Sequence, residues 1–267
     1  MRFRYLPLLI AVFPCLLAAE LKPETTAAFD RYVKVTEDGF AKNQGFENFL
    51  WLDHHPKEKS LIWMQQSKVV QLKTEDQGAE IEVPGGVIQH WLGLVYLENA
   101  TLDKVRDILL NFNEYYHMIP LQIKDSKTEK VEGDHLETFL RLYKKQVSAV
   151  VLNVKGTAKY TLLDPTSGVI AYHSTHIGEV EHPAKKKTYD EERAEEDAAG
   201  YLWRLNFYLR MHQADNGVYV EIELITLGRE SGGRLNASRY LNGFQTFPQE
   251  LTQGFIAALE YIYPHRR

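Results

Sequence analysis

The sequence predicts an α+β fold: a curved seven-stranded antiparallel sheet wrapped on a long C-terminal helix, with an N-terminal helical extension. Three observations carry this. A strand followed by a capped helix and a Tyr-rich turn spans Val87 to Pro120. A Pro-initiated amphipathic helix spans Pro248 to Tyr263. Between them nearly every segment has strand periodicity. A curved sheet closed on one helix encloses space, so a container for a small molecule is the leading expectation.

The chain opens Met1-Arg-Phe-Arg-Tyr5, followed by an apolar run from Leu6 to Leu17 and small residues at Ala18 and Ala19. That pattern predicts a secretory signal peptide over 1–19, too short for a membrane span of about 20 residues. Cys15 is the single cysteine, so cleavage near Ala19 leaves a thiol-free chain that must hold itself by its core. Phe13 and Pro14 before it argue against a lipidation site. A periplasmic or secreted location follows, and Asn99-Ala-Thr101 and Asn236-Ala-Ser238 matter as glycosylation acceptors only in a eukaryotic route. Net charge is -5, which excludes a typical nucleic-acid partner. A monomer is expected.

Pro23 to Asn43 reads as a helix with Phe29, Tyr32, Val33 and Phe40 on one stripe, and Gly45 as its stop. Phe46 to Met64 is rich in large apolar residues, and Lys68–Leu72 and Glu80–Val83 are short strands before the breaker Pro84-Gly-Gly86. Residues 20–86 are therefore an extension packed on a main domain at 87–263. There, Val87–Glu98 is a strand, and Thr101 caps a helix carrying Val105, Ile108, Leu109 and Phe112 at helical spacing. Further strands fall at Leu121–Val131, His135–Lys145, Ser148–Leu163 and Val169–Gly178, with a turn at Asp164–Gly168. Gly178 to Gly200 is a long charged loop, expected to be a mobile border or lid of the cavity entrance.

The Tyr201–Gln213 and Val218–Leu227 hairpin is the clearest element. Trp203, Leu205, Phe207, Leu209 and Met211 alternate with polar residues, as do Val218, Val220, Ile222 and Leu224. A two-residue turn at Asn216-Gly217 sets the two apolar rows on one face. It sets Arg210 and His212 beside Glu223 and Glu221 on the other, as solvated ion pairs. The same alternation turns Val150, Leu152, Val154, Ala158, Tyr160 and Leu162 inward. Leu251, Phe255, Ala258, Leu259 and Ile262 form the helix stripe that covers this face.

The segment Thr101-Leu-Asp-Lys-Val-Arg-Asp-Ile-Leu-Leu-Asn-Phe-Asn-Glu-Tyr-Tyr-His-Met-Ile-Pro120, in the order strand, two helices, six strands and long helix, resembles the helix-grip fold of the START-like (SRPBCC) superfamily. That superfamily includes polyketide cyclases, lipid-transfer START domains and birch-pollen-allergen relatives, and the resemblance covers about residues 87–263. It implies a cavity between sheet and terminal helix for a hydrophobic or lipid-like molecule, with no universal catalytic residues to carry over. Residues 20–86 and the 178–200 loop depart from the minimal pattern.

Within that cavity, Trp203, Leu205, Phe207, Tyr160 and Phe255 are the expected apolar walls. Tyr115, Tyr116 and His117 line or gate the mouth. Arg141, sharing a strand face with Phe139 and Tyr143, is a candidate anchor for a carboxylate or phosphate, against an ordinary cross-strand ion pair. His173 and His176 sit on opposite strand faces, so at most one points inward, His173 being the candidate. His54-His55 reads as a surface pair and no metal site is expected. Lys185-Lys-Lys187 supplies at most a transient contact with anionic lipid, about 1 kcal/mol per lysine. No Gly-x-Ser-x-Gly, dinucleotide or phosphate-loop motif occurs, so no catalytic residue and no cofactor is assigned. Binding or transfer of an apolar ligand is the first functional expectation. A cyclase- or hydrolase-type enzyme on the same scaffold is the alternative, and a filled core with a surface role the third.

Overall fold

The computed structural model describes residues 21–42, 48–64, 67–71, 80–145, 149–214, 216–229 and 244–264. The expected signal peptide, Cys15, and the ends of several predicted segments (Asn43, Phe46, Leu72, Ser148) lie outside them. The extension supplies helix α1 (Pro23–Lys42), a 3₁₀ turn at Trp51–His54, helix α2 (Pro56–Trp63) and strands β1 (Lys68–Gln71) and β2 (Glu80–Val83). The main unit supplies β3 (Gly86–Glu98), α3 (Leu102–Leu110), α4 (Tyr115–Met118), β4 (Ile123–Glu132), β5 (His135–Lys145), β6 (Ala149–Asp164), β7 (Ser167–Glu179), β8 (Arg204–Ala214), β9 (Gly217–Arg229) and α5 (Phe247–Ile262).

All strand pairs are antiparallel, in the order β1-β3-β9-β8-β7-β6-β5-β4. Seven strands, β3 to β9, are those the sequence predicts for the main unit. β1 and β2 add to the sheet, lying end to end along the outer edge of β3. The inner face packs on α3, α4 and α5 through Val95, Leu97, Val105, Phe112, Tyr115, Leu152, Val154, Phe207, Leu224 and Phe255, among others. Alternation dictates this, since most of the alternate residues of β3, β6, β8 and β9 on that side are apolar. Val150, Leu152, Val154 and Ala158 are inward as expected, but Leu162, at the hairpin end of β6, is 57 % exposed.

The outer face is not a solvent face. α1 covers Ile88, Tyr208, Ile225 and Leu227 with Phe29 and Val33, while Phe49, Leu50, Leu52 and Ile62 cover Leu92, Leu94, Tyr96 and Tyr219. The sheet is thus buried between two layers, which is why the burial of β9 is nearly continuous along its length.

Two local details differ from expectation. β8 and β9 pair Ala214 with Gly217, so the turn falls one residue earlier than Asn216-Gly217 and the register shifts by two. Arg210 faces Glu221, Tyr208 faces Glu223 and His212 faces Tyr219; an even shift leaves both faces unchanged. Thr101 stands at the N-cap of α3 with extended backbone but no side-chain cap. The Leu102 N–H donates instead to Gln213 Oε1 at 2.7 Å.

Candidate functional site

The space between sheet and α5 is aromatic at its inner end. The Tyr172 and Phe207 rings stack at 4.3 Å, nearly parallel, and Phe112 stacks on Tyr115 at 4.7 Å. The Tyr115 ring meets Phe255 edge-on at 5.2 Å. Here the region is packed, so the wide hollow expected from the sequence is replaced by interlocked rings, each a large contribution to burial. Burial drives the Tyr115 and Tyr172 hydroxyls well above the usual phenol range, which makes them hydrogen-bond groups rather than bases. Tyr115 donates to the Leu109 carbonyl. The Tyr172 hydroxyl lies near Thr138 without a well-formed hydrogen bond. The Tyr160 hydroxyl and Trp91 Nε1 are likewise buried without a hydrogen-bond partner among the described residues.

At the other end, where β3 and β9 approach the start of α5, a cavity of about 30 Å³ remains, comparable to the volume of one water. Val87 and Leu202 line it on the apolar side, with Phe244 and Pro248 at the helix start. Gln89, Thr226, Tyr201, Gln245 and Arg229 bring polar groups to the same cavity. Thr226 continues the inward row of Val218, Val220, Ile222 and Leu224, so its hydroxyl-bearing side chain faces the interior by strand period alone. Arg229 is the one charged residue among the described residues lining it.

Of the predicted site residues, Tyr115, Tyr160, Leu205, Phe207 and Phe255 meet on the inner side. Tyr116 and His117 are exposed on α4, their rings tilted at 3.9 Å. Five others belong to the outer face and correct the expectation. Trp203 precedes the first residue of β8, so the alternation does not reach it, and it packs with the α1 cluster instead of beside Phe207. Phe139, Arg141 and Tyr143 are the odd residues of β5, while Leu140 and Leu142 face inward. Arg141 pairs with Asp190 at 2.6 Å and Asp125 at 3.3 Å, donates to Asn153 Oδ1 at 2.9 Å and lies over the Phe139 and Tyr189 rings. The bland cross-strand reading of Arg141 therefore holds. His173 bonds Glu37 at 2.9 Å and His176 bonds Glu192 at 2.7 Å. Both lie outward because the pairing slips between Lys155 and Gly156, leaving Thr175 as an extra residue, and a bulge resets the alternation.

The 178–200 loop is pinned to the outer face of β6 and β7. The Glu179 carboxylate accepts the N–H groups of Ala199, Gly200 and Tyr201 at 2.8, 2.8 and 3.1 Å. Asn153 Nδ2 donates to the Tyr189 carbonyl at 2.8 Å, and Val180 bridges Glu192. Most of it lies on that outer face rather than over the cavity as a lid, but its end borders the rim, where the Gly200 carbonyl accepts the Arg229 N–H at 2.8 Å. The solvated Glu221 and Glu223 pairs are also corrected: the pairs form, but Glu221 and Glu223 are 0 % and 3 % exposed and Arg210 7 %. Sequence reasoning missed Gln89, Tyr201, Thr226 and Arg229 as mouth residues. Thr226 and Gln89 had a legible signal, each a polar residue on an inward row.

No protein-family model matches the chain, and no curated protein matches it. Among solved structures it is similar to a STAR-related lipid transfer protein fragment from Xanthomonas axonopodis, at 14% identity and TM-score 0.47, over 74% of this chain and 99% of that one. The Zhui aromatase/cyclase of a Streptomyces is similar at 11% identity and TM-score 0.45, over 66% and 93% of the two chains. The human StarD13 lipid transfer and protein localization domain is similar at 9% identity and TM-score 0.41, over 81% and 98%. A strand, two short helices, six strands and a long closing helix give this chain the helix-grip fold by its own geometry, and the solved structures it is similar to include START-type lipid-transfer and aromatase/cyclase domains.

Proposed function

We propose that the protein binds and carries a hydrophobic or amphipathic small molecule, lipid-like in character, between the inner face of the sheet and α5. One observation carries this reading: an aromatic interior that ends in a cavity with Gln89, Thr226, Tyr201 and Arg229 at its rim. An apolar tail gains about 25 cal/mol for each Å² it buries against such walls, and a few polar groups at one end fix its orientation. The inward-facing rings would have to shift to admit a long tail. Nine of the ten histidines fall in the described residues, in the extension, on the outer face or at the surface. Burial holds the inward-facing Tyr115 and Tyr172 hydroxyls well above the usual phenol range, so they stay protonated. These two facts favour carriage over the cyclase- or hydrolase-type alternative. Export with removal of residues 1–19 is part of the same proposal, motivated by the basic, apolar and small-residue order at the start. No helix among the described residues is long and apolar enough to cross a membrane.

The test is titration with cis-parinaric acid, a fluorescent fatty acid, together with mass spectrometry of an organic extract of protein purified from its source. Saturable probe binding in the wild type is expected, and a drop of tenfold or more, about 1.4 kcal/mol, in Val87→Phe, which fills the cavity. An extracted compound altered on return to fresh protein supports the enzyme reading instead. A wild type that takes up no probe and yields no extract refutes the container. Intact mass of the native protein checks the export claim: retention of residues 1–19 or a diacylglyceryl group on Cys15 overturns it.

A further inference from the structure

Beneath the extension, the outer face of the sheet carries three formal charges in a dry environment. Arg210 Nη2 lies 2.9 Å from Glu221 Oε2 and 2.9 Å from Glu223 Oε2. The extension completes both carboxylates. The N–H groups of Trp51 and Leu52 donate to Glu221, each at 2.9 Å. The Tyr32 hydroxyl of α1 bonds His90 Nδ1 at 2.8 Å, and His90 Nε2 bonds Glu223 Oε1 at 2.7 Å. Arg210 Nη1 donates to the Phe49 carbonyl at 3.0 Å, and its guanidinium lies over the Phe40 ring.

The remaining charged and titratable neighbours among the described residues do not change the count. Glu37 of α1 is taken by the Tyr208 hydroxyl at 2.8 Å and by His173. Asp53 and Lys59 neutralise each other at 2.6 Å. His212 bonds Ser167 at 2.9 Å. Among the described residues one permanent cation faces two carboxylates inside the cluster, so without an added proton one negative charge stays uncompensated in a low-dielectric site.

We propose that seating the extension on the sheet draws one proton into this cluster, so that the clasp holds tightest in weakly acidic solution and loosens as pH rises. The extension is what removes water from the three charges, and an unbalanced buried charge costs several kcal/mol unless a proton neutralises it. The two carboxyls respond in opposite directions. Burial raises the Glu221 pKa above its ordinary value of 4.5, with Arg210 and the two N–H groups only partly opposing. Glu223 suffers burial too, but Arg210 and His90 together hold it below 4.5. A raised carboxyl contributes stability that is complete below its ordinary pKa and lost as pH climbs through the raised value. A lowered one contributes stability that is complete above its ordinary pKa and lost as pH falls through the lowered value. Docking strength therefore peaks near the ordinary carboxylate range and declines on both sides. The alkaline decline is the distinctive one, because a simple ion-paired carboxylate has no such limb.

The full chain labelled with ¹³C-glutamate tests this without any substitution. The Glu221 carboxyl carbon, assigned through its own backbone amide, is expected to titrate above the ordinary glutamate range and that of Glu223 below it. Both carbons titrating at or below that range overturn the proposal. Urea unfolding gives a second, independent reading. From about pH 5 to about pH 8 the wild-type midpoint is expected to fall, and Glu221→Gln to lose at least half of that slope. Tyr32→Phe, which cuts a bond to the extension but leaves the charges, is expected to lower the midpoint and keep the slope. Equal slopes in wild type and Glu221→Gln overturn the proposal, whatever the ligand-binding result.

Discussion

A Cβ placed on Gly156 would lie 2.3 Å from the Tyr172 ring and 2.7 Å from the His173 carbonyl. Neither neighbour has room to retreat, since the ring is stacked on Phe207 and the carbonyl is part of a strand. Gly156→Ala is therefore expected to cost about 1–3 kcal/mol as overpacking, read as a lowered urea midpoint at unchanged slope. Arg210→Ala acts through charge. Two carboxylates would be left facing each other under the extension, and removing one partner from such a buried group costs about 3–5 kcal/mol, measured the same way. The identity of these partners was legible in the sequence, because the alternation in the hairpin puts Arg210 on one face with Glu221 and Glu223. Their burial was not. Polar residues in an alternating strand signal water on that side, and no local pattern tells that Trp51 and Leu52, far away in sequence, will cover them. Trp203 failed for a different reason: it belongs to the apolar row by spacing, yet the strand that enforces the period begins after it.

The 178–200 segment shows how composition misleads at the level of an element. Its charges and lack of large apolar residues read as a mobile loop, yet nearly every anchor it uses is polar: Glu179 on three backbone N–H groups, Arg141 on Asp190 and Asn153 on the Tyr189 carbonyl. Limited trypsin digestion is expected to cut slowly at exposed Lys185, Lys186 and Lys187 in the wild type and several-fold faster in Glu179→Ala. Three orphaned N–H groups there would cost about 1–3 kcal/mol each if they stayed dry, so the segment detaches instead. Equal cleavage rates would show that the pinning is too weak to matter. α5 was legible because Pro248, Glu250 and the stripe Leu251, Phe255, Ala258 and Leu259 are local signals of start and face, although Ile262, expected on the same stripe, is exposed. The bulge in β7 was not, since one extra residue leaves no mark on a short polar stretch, and it alone sent His176 to the wrong face.

At the scale of the molecule, the extension is a third layer on the sheet. Without α1 and the 48–63 segment the sheet would expose Ile88, Leu92, Leu94, Tyr96, Ile225 and Leu227. Contiguous apolar area of that kind is an aggregation liability. A chain starting at residue 86 is thus expected to be insoluble or to lack a cooperative thermal transition, whereas one starting at residue 21 should unfold in a single step by circular dichroism. The overall order of strands and closing helix was legible because period and turn chemistry agree along most of the chain. The layering was only half legible, as apolar content marks the extension as packed without naming the face it meets. Charges sandwiched in such a sheet also act on assembly. Slipping β9 by one residue along β8 would turn Glu221 and Glu223 toward Phe207, Phe255 and the Tyr172 ring and send Ile222 and Leu224 outward. A mispaired hairpin would then hold two acids among phenyl rings, with Arg210 stranded on the far side. Such a pairing is too costly to persist, so the three charges also fix which alignment of the strands the finished molecule can keep.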